Sequence, residues 1–357
     1  MERAADQRGA RHHSHVKRTA CISLLVALVA ALLAADATAV PVGRSLAQTA
    51  LLTGPPRHLA GASWWGGTYP LPDGEHVTVY ISTRYPQDDA VAQRWAAFFG
   101  GLPHGQELSL VKVYVAPLDQ VDDMCFNQDV LGCYGGERLV TVGETTGGLA
   151  PTAIAAHEYG HHIAANRSNA PWTALDWGTK RWASVTGICA RAAAGTAFPG
   201  NEGADYSLNP GEAFAETYRV LTQTNGAAVD YDWPIVDPSF RPTAEALAAI
   251  RADVADPWTG PTTTTTHGAF RPRQRTWTRR IATSLDGDLS VRVKVPAGGA
   301  DDVTLLGSDG RTVLARGSWD GSGGKSAAYQ VCGRRSVTVR VTRGGPAARF
   351  SLRFSVP

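Results

Sequence analysis

The run His157-Glu158-Tyr159-Gly160-His161 constrains this chain more than any other stretch. Two histidines four positions apart share one helical face, about one turn apart, so both imidazoles can reach one metal ion. The glutamate beside the first histidine then stands next to that ion, where it can take a proton from water. The run therefore demands a helix. It also demands a partner element, because a catalytic zinc takes three protein ligands plus water and this helix supplies two.

The stretch from Asn209 to Arg219, Asn-Pro-Gly-Glu-Ala-Phe-Ala-Glu-Thr-Tyr-Arg, offers that partner. Pro210 can open a helix, and Glu212 and Glu216 then fall on one face. Glu212 follows His161 by 51 positions, room for a connecting helix and an antiparallel return. Glu212 and Glu216 compete for the third ligand place. The other would hydrogen-bond a ligating histidine and orient its ring.

His157-Glu158-x-x-His161 followed by Glu212-Ala213-Phe214-Ala215-Glu216 resembles the gluzincins, zinc metallopeptidases with a His, His, Glu ligand set. It more closely resembles the branch that holds anthrax lethal factor and the Pro-Pro endopeptidases. There a tyrosine shortly precedes a Glu-x-Phe-Ala-Glu-x-Phe/Tyr-Arg helix. Here Tyr206 precedes Glu212 and the helix reads on to Tyr218-Arg219, with the tyrosine-to-glutamate gap one residue shorter. The chain is also similar to secreted metallopeptidases of actinobacterial type. The likeness spans about residues 135–225 and leaves out the C-terminal third.

The resemblance implies a zincin-like domain, Zn2+ as cofactor and a peptide or protein as substrate. It implies His157, His161 and Glu212 as metal ligands, with Glu216 hydrogen-bonded to a ligating histidine. Glu158 becomes the general base and Tyr206 the hydrogen-bond donor to the oxyanion, with Tyr218 and Tyr231 as alternatives. It further implies that residues 137–143 form the edge strand that pairs with extended substrate. His162, five positions after His157, faces elsewhere, and Asp205 and Arg219 are expected to be structural.

Residues 1–39 read as an export signal. Arg3, Arg8, Arg11, Lys17 and Arg18 precede an apolar run from Leu24 to Ala35, and Ala37-Thr38-Ala39 supplies the small-residue cleavage pattern. The competing reading is an uncleaved anchor, for which the run is short. No other stretch could span a membrane, and the expected location is extracellular. Cys21 leaves with the signal, and Cys125, Cys133, Cys189 and Cys332 remain. Four cysteines in an exported chain favour disulfides. Cys125 and Cys133 are expected to pair locally, which leaves Cys189 with Cys332, one of three possible connectivities.

Charge divides the chain. Residues 268–357 hold 16 Lys and Arg against 6 Asp, a net +10. Residues 40–267 hold 13 basic and 23 acidic side chains, a net −10. The basic tail could dock on the acidic part, attract an anionic cell-wall polymer, or simply be solvated. No nucleic-acid-binding motif occurs.

The expected architecture is α+β: a small sheet with active-site helices, then an all-β sandwich-like domain. Residues 40–62 are a lead-in. Residues 63–258 form the first domain, with strands at 76–83, 108–115 and 138–142 and helices at 88–99, 151–166, 172–194, 210–224 and 243–254. Cys125 to Tyr134 is expected to be a loop. The threonine run within 259–269 reads as a linker. Residues 270–357 then alternate with period two, with a hairpin turn at Asp309-Gly310.

The leading functional expectation is a secreted zinc endopeptidase. The alternative is a secreted cell-envelope binding protein with a structural metal site and an arginine-rich β domain. An aminopeptidase ranks below the endopeptidase, because no motif for recognising a substrate N-terminus is present.

Overall fold

In a computed structural model, the described residues are 63–127, 130–224, 232–295, 300–321, 323–333, 335–346 and 349–357. The expected signal, the lead-in and Tyr231 lie outside them. The fold is mixed α and β.

The first half is built on a five-stranded sheet ordered β1 (Trp64–Pro70), β2 (His76–Ser82), β3 (Lys112–Ala116), β5 (Arg138–Val142), β4 (Gly132–Gly135). The inner pairs β2–β3 and β3–β5 are parallel, while β1 and β4 run antiparallel to their neighbours. In β2 the alternation places Val77, Val79 and Ile81 in the core.

Helix α1 (Asp89–Gly100) packs on β2. Its first turn is capped by Asp88, whose side chain accepts from Ala90 N at 3.0 Å. Its buried stripe is Ala92, Trp95, Ala96 and Phe99, with Val91 and Phe98 flanking the core. Helix α2 (Leu118–Cys125) precedes β4.

Three local expectations need correction here. Residues 106–110 form a 3₁₀ turn before β3 rather than the start of a strand. The expected loop at 125–134 ends in β4. The expected substrate edge at 137–143 is interior, because β5 is paired on one side by β3 and on the other by β4, so its backbone groups are already taken. Strand β4 is the sheet edge on that side, and β1 is the other edge.

Helix α3 (Pro151–Ala165) lies between this sheet and α7 (Pro210–Thr224). Between them run the short hairpin β6 (Ser168–Asn169) and β7 (Trp172–Thr173) and the short helices α4 (Ala174–Trp177), α5 (Lys180–Thr186) and α6 (Ile188–Ala193). Helix α3 is covered on all sides from Ala153 to Ala164, as befits a central helix with small residues around its circumference. Helix α8 (Ala244–Ala255) closes this half against α5 and α7.

The second half is two packed antiparallel sheets. One is ordered β13 (Ser318–Trp319), β14 (Gly324–Val331), β10 (Gly287–Lys294), β16 (Arg349–Val356), β8 (Thr262–Ala269). The other is β12 (Val313–Arg316), β11 (Asp302–Leu306), β15 (Arg335–Thr342), β9 (Thr276–Thr283). They share a core of Leu289, Val291, Leu305, Val339 and Leu352, among others. The hairpin at Asp309-Gly310 forms as expected: Gly307 N donates to Thr312 O at 2.8 Å between β11 and β12.

The threonine run is not a linker. It is β8, an edge strand paired with β16 from Thr262↔Val356 to Ala269↔Arg349. β-Branched threonines suit a half-exposed pleat, so a run that reads as low complexity folds as a strand.

Both expected disulfides are present, Cys125–Cys133 and Cys189–Cys332. The second ties α6 to the turn after β14. Nearby, Asp286 N donates to Ser184 Oγ at 2.8 Å. No helix of the described residues is long and apolar enough to cross a membrane.

Candidate metal centre

Pro151 opens α3 and Pro210 opens α7, each where a missing amide costs nothing. The helices meet at Gly160. A Cβ there would stand 2.7 Å from Ala215 Cα and 3.1 Å from Ala215 O. Glycine in a helix interior costs about 1 kcal/mol against alanine. Here it lets two backbones approach closely enough for side chains on each to converge.

Five side chains converge, and all are fully buried: His157, Glu158 and His161 from α3, Glu212 and Glu216 from α7. His157 Nε2 lies 3.3 Å from His161 Nε2 and 3.2 Å from Glu212 Oε2. His161 Nε2 lies 3.4 Å from Glu212 Oε1. A tetrahedral ion with ligands at about 2.0–2.1 Å separates its donor atoms by about 3.3 Å. The three spacings fit that geometry, and two imidazoles with one carboxylate fit the chemistry of an open zinc site.

Glu216 takes the position expected of an orienting residue. His157 Nδ1 donates to its Oε2 at 3.1 Å. Arg219 holds the same carboxylate from behind, Nε to Oε2 at 2.8 Å and Nη2 to Oε1 at 2.6 Å. Arg219 was expected to be structural. It is one step from the cluster, and its spacing of three after Glu216 on one helix is the sequence signal for that contact. His162 points away: its Nδ1 meets Tyr134 Oη at 3.1 Å and its Nε2 meets Glu107 O at 2.8 Å. Tyr218 also lies elsewhere, donating to Pro103 O at 2.5 Å.

Tyr206 reaches the cluster from the loop before α7, where its hydroxyl donates to Glu212 Oε2 at 2.7 Å. Glu158 is approached by the edge strand. A Cβ at Gly132 would lie 3.0 Å from Glu158 Cγ and 2.8 Å from Val140 O, so only glycine lets β4 pass here. Neither Glu158 oxygen has a hydrogen-bond partner. Burial raises the Glu158 carboxyl well above its usual range, against the opposing charge of His157. Burial would lower His157, but hydrogen bonds to Glu212 and Glu216 raise it to about 10. Burial would raise Glu212, yet the charge of His161 and the bonds from both histidines hold it low. Positive charge on His157 and Arg219 thus offsets the negative charge of Glu212 and Glu216.

Asp73, Glu75 and His104 also lie close enough to share an ion, but at the surface.

No family model matches the chain, and no curated protein matches it. Among solved structures, the chain is similar to the pre-peptidase C-terminal domain of a collagenase from Bacillus anthracis. Identity is 17%, over 26% of this chain and 88% of that one, with a TM-score of 0.22.

Proposed function

We propose that this is a secreted zinc-dependent peptidase with a zincin-like catalytic half, acting within peptide or protein chains. One observation carries the reading: three buried donors spaced 3.2–3.4 Å apart, beside a buried glutamate without a hydrogen-bond partner. His157, His161 and Glu212 would hold the ion. Zinc supplies Lewis acidity, polarising a carbonyl and lowering the pKa of water.

The remaining steps belong to the chain's own residues. Glu158 accepts a proton from the attacking water and returns it to the departing amine nitrogen. Water adds to the carbonyl carbon, the C–N bond breaks, and a carboxylate and an amine are left. Tyr206 turns its hydroxyl from Glu212 to the developing oxyanion. Glu216, clamped by Arg219, fixes the tautomer and ring angle of His157. An intact Glu158 favours this over a structural metal site, which needs no adjacent base and is closed by four ligands.

The test is elemental mass spectrometry of the purified chain beside peptide-library cleavage. About one zinc per chain is expected, lost in His161→Ala. Glu158→Gln should keep the metal and lose about 10²–10⁴-fold in rate. A Glu158→Gln chain that cleaves normally would remove the assigned base.

A second reading concerns the β half, as a surface for an anionic cell-wall polymer. On one sheet, inward Val291, Val293, Phe350 and Leu352 alternate with outward Arg292, Lys294, Arg349 and Arg353. Arg292 and Arg353 stand directly opposite each other. The face supplies four cations, of which Arg292 is paired with Asp320, beside the outward Asp288, and its surplus of positive charge suits a polyanion.

A further inference from the structure

A cavity of about 490 Å³ lies one turn along α3 from His161 of the candidate metal centre. Ala164 and Ala165 form part of its wall, three and four positions after His161, so it continues the face of α3 that bears both histidines. Trp172, Leu175, Asp176 and Glu202 also line it.

Both acids are fastened to the start of α7, the helix of Glu212. Glu202 Oε1 accepts from Asn209 Nδ2 at 2.9 Å, one residue before that helix. Asp176 lies on α4, which packs against Gly211: a Cβ there would lie 2.6 Å from Leu175 O and 3.5 Å from Asp176 Cα. Asp176 Oδ2 accepts from Thr173 Oγ1 at 2.6 Å. Among the described residues, neither acid pairs with a lysine or arginine. Arg167 also lines the cavity, but its guanidinium is committed to Glu107 at 2.9 Å and to the carbonyls of Asp253 and Val254.

An apolar trough with two unpaired acids matches a side chain with an aliphatic stem and a cationic head. We infer that this cavity is the subsite for a lysine or arginine side chain next to the scissile bond, with Asp176 and Glu202 setting that preference. The inference rests on the peptidase reading. It makes Asp176 and Glu202 specificity residues that touch the substrate away from the reacting atoms.

The test profiles cleavage of a mixed peptide library by the zinc-loaded full chain. Lys and Arg should be enriched at one position beside the cut. Replacing that arginine with its neutral isostere citrulline should lower kcat/KM about tenfold, the scale of a close but solvent-touched charge pair. The penalty should vanish in Asp176→Asn/Glu202→Gln, and Glu202→Lys should turn the preference towards Glu. Binding is read without turnover by calorimetry in Glu158→Gln, where the arginine peptide should again outbind the citrulline peptide about tenfold. Cleavage with no charge preference, or one unmoved by these substitutions, sinks the subsite and leaves the peptidase reading standing. Zinc-loaded chain that cleaves nothing removes both.

Discussion

Two arginine–carboxylate pairs set the halves of this molecule apart. In the helical half Arg219 grips Glu216 with both groups buried, at 4% and 0% side-chain exposure. In the β half Arg292 pairs with Asp320 at 36% and 15%. The first half buries its charges and locks them together. The second keeps most of its charges outside an aliphatic core, with Asp286 and Asp301 buried at its margins. Charge is therefore part of the interior architecture in one half and mainly a surface property in the other.

The sharpest way to break that contrast is to remove one arginine from each pair. Arg219→Leu leaves Glu216 buried without its clamp and should cost about 3–5 kcal/mol. Arg292→Leu should cost about 1 kcal/mol or less, because water replaces the lost partner. Urea unfolding of the two variants measures both. Equal losses would mean that Glu216 finds another cation, or that the β pair carries more than its exposure implies. Arg219→Leu should also let the His157 ring swing, so zinc affinity should fall together with stability.

The two halves meet at Lys180, which tests the contrast at its boundary. Its Nζ donates to Ala170 O at 2.6 Å, lies 4.4 Å from the Trp258 ring, and would lie 2.8 Å from a Cβ at Gly287 on β10. Burial lowers this lysine from 10.5 to about 8, against the pull of Asp286, Asp288 and Asp253. The sign follows from linkage. Between pH 8 and 10.5 the folded chain has released a proton that the unfolded chain still holds, so stability rises with pH in that window. The urea midpoint should climb from about pH 8 to 10.5 relative to Lys180→Met, which lacks the group. Parallel curves for the two proteins would show that Lys180 is solvated and the seam is wet.

The same contrast explains what could be read from the sequence. That His157, His161 and the Glu212/Glu216 pair would come together was legible, because two imidazoles on one turn and a glutamate pair on a later turn are local patterns with fixed geometry, though the pattern alone left the two glutamates competing for the third place. The contact of Arg219 with Glu216 was signalled by their spacing of three, but its burial was not, since nothing local says that a helix-surface arginine will be buried. Gly160 was equally silent: a mid-helix glycine reads as a weak helix former until the second helix lies across it. The edge of the sheet was misread because order in a sheet is set by long-range pairing, and β5 inserts between β3 and β4. In the β half, period two gave β10, β11 and β16, but β8 was mistaken for a linker. Its side chains are mostly exposed, so no apolar alternation marks it.

The smallest expected effect lies on the outer face of that half. Arg292 and Arg353 are a cross-strand pair, and like charges directly opposite are destabilising. Arg292 is partly compensated by Asp320, while Arg353 faces Thr265 on its other side. Arg353→Thr puts a good strand former on an exposed strand position and removes the repulsion. It should therefore change stability by less than about 0.5 kcal/mol, and in the favourable direction. The same substitution should weaken retention of the full chain on a heparin column, moving elution to lower salt. Unchanged elution would leave the face merely solvated, whereas a stability loss above 1 kcal/mol would show that Arg353 holds the sheet together and that this half, too, depends on its charges.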